Sequence, residues 1–349
     1  MTNDREMPSL KLITFTVPCY NSAAYMDKCI QSLLPAGDEA EIILVDDGST
    51  DETGAIADRY AAQYPNVRVL HQENGGHGEG VNQGLKHAEG LYFKVVDSDD
   101  WLDEAALHEL MALLRTAPQL DRPLDLIICN YVYEHTLDNT QKYMRFRKVI
   151  PIGRPFAWDE LGHLNAGQFV TMHAAIYRTD VLRRSGVHLP KHTFYVDNVF
   201  VYVPLPTVRT LYYLDADLYR YFIGRSDQSV TDENMVKRID QQIRVFKILA
   251  DSHDLQMLRQ KSRRLSQYMH HYLSIMLTIC TIFLWIGGTP EHYRKASDLW
   301  AWLKVEHPYT YRHLRWHSAN VVFFIIPGKL GKRICVAVYR VLQRIFKFN

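Results

Sequence analysis

Neither of the glycine-rich loops that commonly cradle phosphates is present. The first apolar run leads into VPCYNSAAY with no GxGxxG after it, which disfavours an NAD or FAD site of that kind, and no GxxxxGK[ST] loop occurs. Cysteine is scarce. Its five copies, at 19, 29, 129, 280 and 335, are widely spaced, odd in number and free of any CxxC pair or tight Cys/His cluster. That excludes a disulfide framework or a zinc site of familiar spacing and favours a reducing compartment. An excess of one charge is missing too: 40 Lys and Arg face 39 Asp and Glu. Any affinity for nucleic acid or anionic lipid must therefore come from a local patch. The opening MTNDREMPSLKL has no basic segment followed by an apolar run, which predicts a cytosolic start.

What is there is a globular composition of 349 residues, 47% hydrophobic and 23% charged, enough for one large or two ordinary domains. KLITFTVP at 11–18 and EIILV at 41–45 read as β-strands, and Tyr25–Leu34 between them carries helical spacing. A helix over Thr50–Tyr60, a strand over Val67–Leu70, a helix over Gly80–Ala88 and a strand over Leu91–Val96 continue the alternation. This predicts an α/β fold in which ligand groups collect at the strand ends, at 17–20, 46–49 and 97–100. Leu107–Leu114 reads as a helix, Leu124–Tyr133 as a strand, and 168–178 as a strand entering a helix at Thr179–Ser185. From about Glu233 long helical patterns take over, Met235–Leu249 and Leu255–Met276 among them, so a boundary is placed between domains 1–230 and 231–349.

Two acidic clusters mark the strand ends. Asp46-Asp47-Gly48-Ser49 is followed some fifty residues later by Asp97-Ser98-Asp99-Asp100. Paired carboxylate clusters suit a hard divalent cation such as Mg²⁺ or Mn²⁺ together with the hydroxyls of a ribose. A lone DxD is more often a solvated turn, but the apolar LYFKVV run before this one argues for a built site.

In that order, VPCYN at 17–21, VDDGSTD at 45–51, NGGHGEG at 74–80, DSDD at 97–100 and YVDNVF at 195–200 resemble the family 2 glycosyltransferases over residues 11 to about 230. The resemblance implies an inverting enzyme with the Rossmann-like, mixed-sheet GT-A fold, a UDP-sugar donor and a divalent ion. Carried over by position, it puts Pro18 to Tyr20 and Asp47 on the nucleotide, with Asp46 supporting the turn and Asp97 near the ribose. It puts Asp99 on the metal, with Asp100 as a second contributor, and Asn74 and Gly75 in the donor pocket. Asp197 takes the place of the general base, with Val196 where a Glu often stands. Arg225 in YFIGRSDQSVT could reach the diphosphate, although a plain salt bridge is an equal reading. His77 stays outside the catalytic set, and His173, His188 and His192 read as structural or substrate-contact residues. No QxxRW string occurs, which favours transfer of one sugar rather than processive synthesis.

Outside that resemblance, Tyr272–Pro290 is an uncharged run of 19 residues that can be read as crossing a bilayer, lying in its surface, or packing as a buried helix. Lys329–Asn349 holds six Lys or Arg and no acid, spaced as a basic amphipathic helix that can be read as docking on an anionic membrane surface or as packing on the domain with a solvated basic face. Together they predict a peripheral protein at the cytoplasmic face of the plasma membrane, with a lipid-linked or cell-envelope glycan as acceptor. No basic, aromatic groove for nucleic acid precedes residue 300. A nucleotidyltransferase would want a glycine-rich basic loop that Pro18-Cys19-Tyr20-Asn21 does not offer. A silent nucleotide-sugar-binding protein would require damage at Asp97, Asp99 or Asp197, and none is visible.

Overall fold

The computed structural model describes residues 10–135, 139–162, 164–165, 167–224, 231–318, 321, 331–333 and 335–340. The chain divides into two compact units. One takes the chain up to Glu160 together with Val170–Ile223, and the other takes Leu161–Phe169 and the chain from Gly224 onward.

The first unit opens with β1 (Ile13–Cys19), α1 (Met26–Leu33), β2 (Ala40–Asp46), α2 (Thr53–Gln63), β3 (Val67–His71), α3 (His77–His87) and β4 (Tyr92–Val95). Every residue of β1 and β2 is buried, as expected of parallel strands covered on both faces. The buried Thr14 and Glu41 side chains inside these strands are paired. Thr14 Oγ1 donates to Glu41 Oε2 at 2.6 Å, and Arg68 donates to Glu41 Oε1 at 2.6 Å. Helix α1 buries Met26, Cys29, Ile30 and Leu33, the spacing of a single helix face. Helix α3 begins three residues earlier than the sequence spacing predicts, because Gly76 takes φ +84° and turns the chain into it. It also lies unusually close to β1: a β-carbon at Gly84 would sit 2.2 Å from Thr16 Cγ2, and one at Gly80 would sit 2.9 Å from Pro18 Cβ.

The unit continues with β5 (Trp101–Leu102), α4 (Glu104–Thr116), β6 (Leu126–His135), β7 (Thr140–Met144), β8 (Pro155–Phe156), β9 (Ala175–Arg178), α5 (Thr179–Ser185), α6 (Asp197–Tyr202) and β10 (Leu211–Ile223). The sheet runs β3-β2-β1-β4-β9-β6-β10-β5, with β7 on β6 and β8 on β10. Strands β3, β2, β1 and β4 are mutually parallel, β9 is antiparallel to both β4 and β6, and β10 is parallel to β6. The result is a mixed sheet flanked by helices. The 13-residue strand β10 is absent from the sequence-based expectation, and β9 occupies only the end of the strand expected at 168–178.

The second unit holds α7 (Asp232–Lys237), α8 (Ile239–Ser252), α9 (Leu255–Lys261), α10 (Arg263–Gly287), α11 (Pro290–Glu306) and α12 (Pro308–His317). The two long helices expected here are each broken. Arg238 leaves helical geometry between α7 and α8, and Ser262 caps α10 by accepting from Leu265 N at 3.3 Å. Helix α10 carries most of the uncharged run, is 25 residues long and is apolar enough to cross a membrane, yet 72% of its most apolar window is buried within the protein. Phe169 packs edge-on against its Tyr272 with ring centroids 5.0 Å apart. Of the basic tail expected to form a helix over 329–349, residues 331–333 and 335–340 are helical and the others lie outside the described residues, as does Arg225. None of the five cysteines forms a disulfide, and all are buried.

Candidate active site

The first acidic cluster is a brace. Strands β1 and β2 end side by side, with Cys19 opposite Asp46. Asp46 accepts from Ser49 N at 3.1 Å and pairs with His71 Nδ1 at 2.9 Å. Burial alone would raise its pKa, but Ser49 and His71 outweigh it and hold the carboxyl below the usual range. Asp47 is buried, and both of its oxygens face loop 72–76. Oδ1 accepts from Gln72 Nε2 at 2.6 Å and Gly75 N at 2.7 Å, and Oδ2 accepts from Gly76 N at 2.7 Å. Asn74 Nδ2 donates to the Asp47 carbonyl at 3.0 Å. The Gly75 carbonyl in turn accepts from His192 N at 2.8 Å, so the brace extends from Asp47 through the NGG turn to the segment before Asp197. Nearby, Asn21 adopts φ +49° and accepts from Thr50 N at 2.9 Å, while Ser22 and Ser98 share a 2.7 Å hydroxyl contact. Pro18 is buried in β1, and Tyr20 just beyond it is 53% exposed, a free aromatic surface at the strand end.

The second cluster is tied to β10. Tyr219 Oη accepts from Asp97 N at 3.1 Å and donates to Asp100 Oδ2 at 2.7 Å, and Phe222 N donates to Asp100 Oδ1 at 2.8 Å. His77 Nε2 lies 2.8 Å from Asp97 Oδ1, and His173 Nε2 lies 3.7 Å from Oδ2. Burial would push the Asp97 carboxyl up, but His77 and His173 hold it well below the usual carboxylate range. Asp100 moves the other way: burial, then the adjacent Asp99 and Asp97 charges, raise it far above its ordinary value. Burial works against the His77 imidazolium, yet Asp97, Asp197 and Asp99 raise its pKa overall. One ligand atom from each of Asp97, Asp100 and His173 falls within 4.8 Å of the others. Asp99 shares the turn, half-buried, and is not one of that trio.

Asp197 opens α6 beside these groups. The approach is strained, with φ +48° at His192 and +65° at Tyr195, non-glycine residues in the left-handed region. Asn198 Nδ2 holds the turn by donating to Tyr195 O at 3.0 Å and to Asp197 Oδ1 at 3.1 Å. Burial raises the Asp197 pKa, and the nearby His173 and His77 offset only part of that rise.

Residues 14–184 match the model of Glycosyl transferase family 2. The chain belongs to that family. Among curated relatives of this glycosyltransferase family 2 chain, the uncharacterized glycosyltransferase EpsJ of Bacillus subtilis is 29% identical over 215 residues, 61% of each chain. Glycosyltransferase GlyG of Streptococcus pneumoniae is 37% identical over 154 residues, 43% of this chain and 47% of that protein. The chain thus spans about half to three fifths of these two relatives. Among solved structures, S. aureus TarS 1-349 superposes with a TM-score of 0.63 at 19% identity, covering 94% of this chain and 91% of that one. The mixed sheet flanked by helices and the helical C-terminal region of this chain are a broadly GT-A-like arrangement.

Within this candidate site, the residues that the sequence reading left outside the catalytic set are joined to Asp97 from elsewhere in the chain. His77 and His173 flank its carboxylate, and Tyr219 arrives on the unexpected strand. Lys94 is fully buried on β4, donates to His173 O at 2.7 Å and lies 4.9 Å from the centre of the Tyr219 ring. Burial lowers its pKa to about 8. The available signal was a lysine inside LYFKVV, a strand that otherwise reads as wholly apolar.

Proposed function

We propose that this protein is an inverting glycosyltransferase that moves a single sugar from a UDP-sugar to a hydroxyl of a lipid-linked or cell-envelope polysaccharide precursor. The observation carrying this reading is the convergence at one sheet edge of Asp97, Asp100, His77, His173 and Asp197, residues spread over about a third of the sequence. TarS, which shares the fold, has been crystallised in complex with UDP-GlcNAc, and the motif resemblance points to the same donor class.

Asp197 is the proposed base. Burial raises its proton affinity, which strengthens it as an acceptor for the hydroxyl proton during attack on the anomeric carbon. The strained turn and Asn198 fix the carboxylate in direction, so little reorganisation is left for the reacting state. Tyr20 offers a face for the nucleobase, and Asp47 shapes the NGG turn beside it. The trio of Asp97, Asp100 and His173 suits Mg²⁺ or Mn²⁺: two carboxyls in close quarters resist joint ionisation until a cation joins them, and oxygen with imidazole nitrogen is a fitting donor set. With Asp99 from the same turn, these residues would hold the ion, whose charge stabilises the departing diphosphate. Residues 1–230 form the catalytic domain in this proposal. Residues 231–349 are an accessory region whose basic tail meets an anionic membrane surface on the cytoplasmic side.

The test is donor binding and slow donor hydrolysis by the purified chain with a panel of UDP-sugars and Mg²⁺ or Mn²⁺. Asp197→Asn is expected to keep donor binding and lose about 10²–10⁴-fold in transfer. Asp99→Ala is expected to lose metal-dependent donor binding. Failure of every UDP-sugar to bind with either metal would overturn the donor assignment.

A further inference from the structure

The opposite end of the sheet carries a second cluster of charge. Arg178 is the register partner of Tyr92 at the start of β4, about 16 Å along the strand from Asp97 at 3.3 Å per residue. Here β9 ends and β6 and β10 begin, with Leu126 paired to both Tyr177 and Leu211. A cavity of about 380 Å³ opens at this corner, lined by Arg122, Arg178, Arg184 and Arg209 with Asp125 and Thr210 among the remaining walls.

Four guanidinium groups face one lining carboxylate, and the fold already occupies that carboxylate. Asp125 Oδ2 accepts from Arg209 N at 2.7 Å and Thr210 N at 3.1 Å, and its Oδ1 lies 3.2 Å from Arg178 Nη2. Asp180 pairs with Arg178 Nε at 2.7 Å and Arg184 Nη2 at 3.4 Å. Arg178 and Arg184 are thereby balanced. The guanidinium groups of Arg122 and Arg209 are exposed and have no ion-pair partner among the described residues. Two uncompensated planar forks at the mouth of a concave site, backed by two more guanidinium groups, match the bidentate recognition of phosphate oxygens. The volume lies near the lower end of the range for small-ligand pockets. The lining has no histidine or cysteine, so its chemistry is that of binding.

We infer that this corner binds a phosphate group, carried either by a soluble phosphoester or by the headgroup of an anionic lipid. It is separate from the donor diphosphate site and does not rest on the proposed transfer reaction. The test compares the full chain with the double variant Arg122→Gln, Arg209→Gln, whose side chains take no part in the Asp125 and Asp180 pairs. One arm is calorimetric titration with inorganic pyrophosphate in EDTA, which removes any contribution from a metal-dependent diphosphate site. The other is sedimentation with phosphatidylcholine vesicles with and without phosphatidylglycerol. Thermal melting of both proteins checks that the variant is folded.

Saturable pyrophosphate binding that weakens about tenfold or more in the variant supports the site with a soluble ligand. Phosphatidylglycerol-dependent sedimentation lost in the variant, without pyrophosphate binding, supports it with a lipid headgroup. Binding that is absent in both arms, or unchanged in a folded variant, overturns the inference.

Discussion

Replacing Asp47 by Asn separates two roles for a buried carboxylate. Three donors converge on it, from Gln72 Nε2, Gly75 N and Gly76 N. An amide of the same shape offers one oxygen and one NH₂ group, so at least one loop donor is left facing another donor. With the oxygen kept at the Oδ1 position, the contacts from Gln72 and Gly75 survive and that from Gly76 is lost. Stranding a donor costs about 1–3 kcal/mol, and a bond to a charged acceptor is worth about 1.5–3 kcal/mol, so the expected loss is about 2–3 kcal/mol. For a cooperative unit of about 200 residues this lowers Tm by about 4–12 °C. Scanning calorimetry of the full chain reads the shift, and hydrogen exchange at the Gly75 and Gly76 amides is expected to accelerate with it. Donor affinity falls together with stability, because the NGG turn and the His192 contact beyond it are both released. An Asn variant with unchanged Tm and unchanged exchange but lost donor binding would refute the reasoning and place the carboxylate on the nucleotide itself.

The His77–Asp97 pair ties stability to pH. The His77 pKa is raised above 6.5 in the folded chain, so its contribution is complete below that value and is lost as pH rises through the folded pKa. The stability difference between the wild type and His77→Gln is therefore expected to shrink from pH 6 to pH 9 in denaturant titrations, and a constant gap would contradict the pairing. Asp97 works in the opposite sense: its depressed pKa gives stability that is present above the unfolded carboxylate value and disappears only in strong acid, which acid-induced unfolding of Asp97→Asn can test. Gly84→Ala is expected to cost about 1–3 kcal/mol by overpacking, because the new methyl meets Thr16 at 2.2 Å. Adding Thr16→Ala should recover part of that loss in urea unfolding, and full stability of the single variant would disprove the close approach.

The parallel half of the sheet was legible because burial on both faces turns its strands into continuous apolar runs, ITFTV and EIILV, separated by helical spacing. Strand β10 was not, since LYYLDADLYRYFI places Asp215 and Asp217 mid-strand, where acids usually signal a turn. Their compensation comes from a distance: Asn130 donates to both, and Arg145 Nε donates to Asp217 at 2.9 Å. The breaks at Arg238 and Ser262 were hidden by apolar periodicity that runs on through them. In the candidate site the acidic positions were readable as motifs. The direction in which each carboxylate faces was not, because Asp47 turns toward its own loop and Asp100 toward Tyr219 and Phe222 N. Such orientations are set by partners 25 to 122 residues away.

The near-contact of α3 with β1 limits how this protein can be re-engineered. With no room for a methyl group at Gly80 or Gly84, the shapes of Pro18 and Thr16 and the emptiness opposite them form a single lock-and-key surface. A loop graft that imports residues 74–84 from another enzyme without its own residues 16–18 brings a key cut for a different lock. Donor-site chimaeras should therefore exchange both segments as one cassette, and libraries that randomise positions 80 and 84 alone are expected to return mostly glycine.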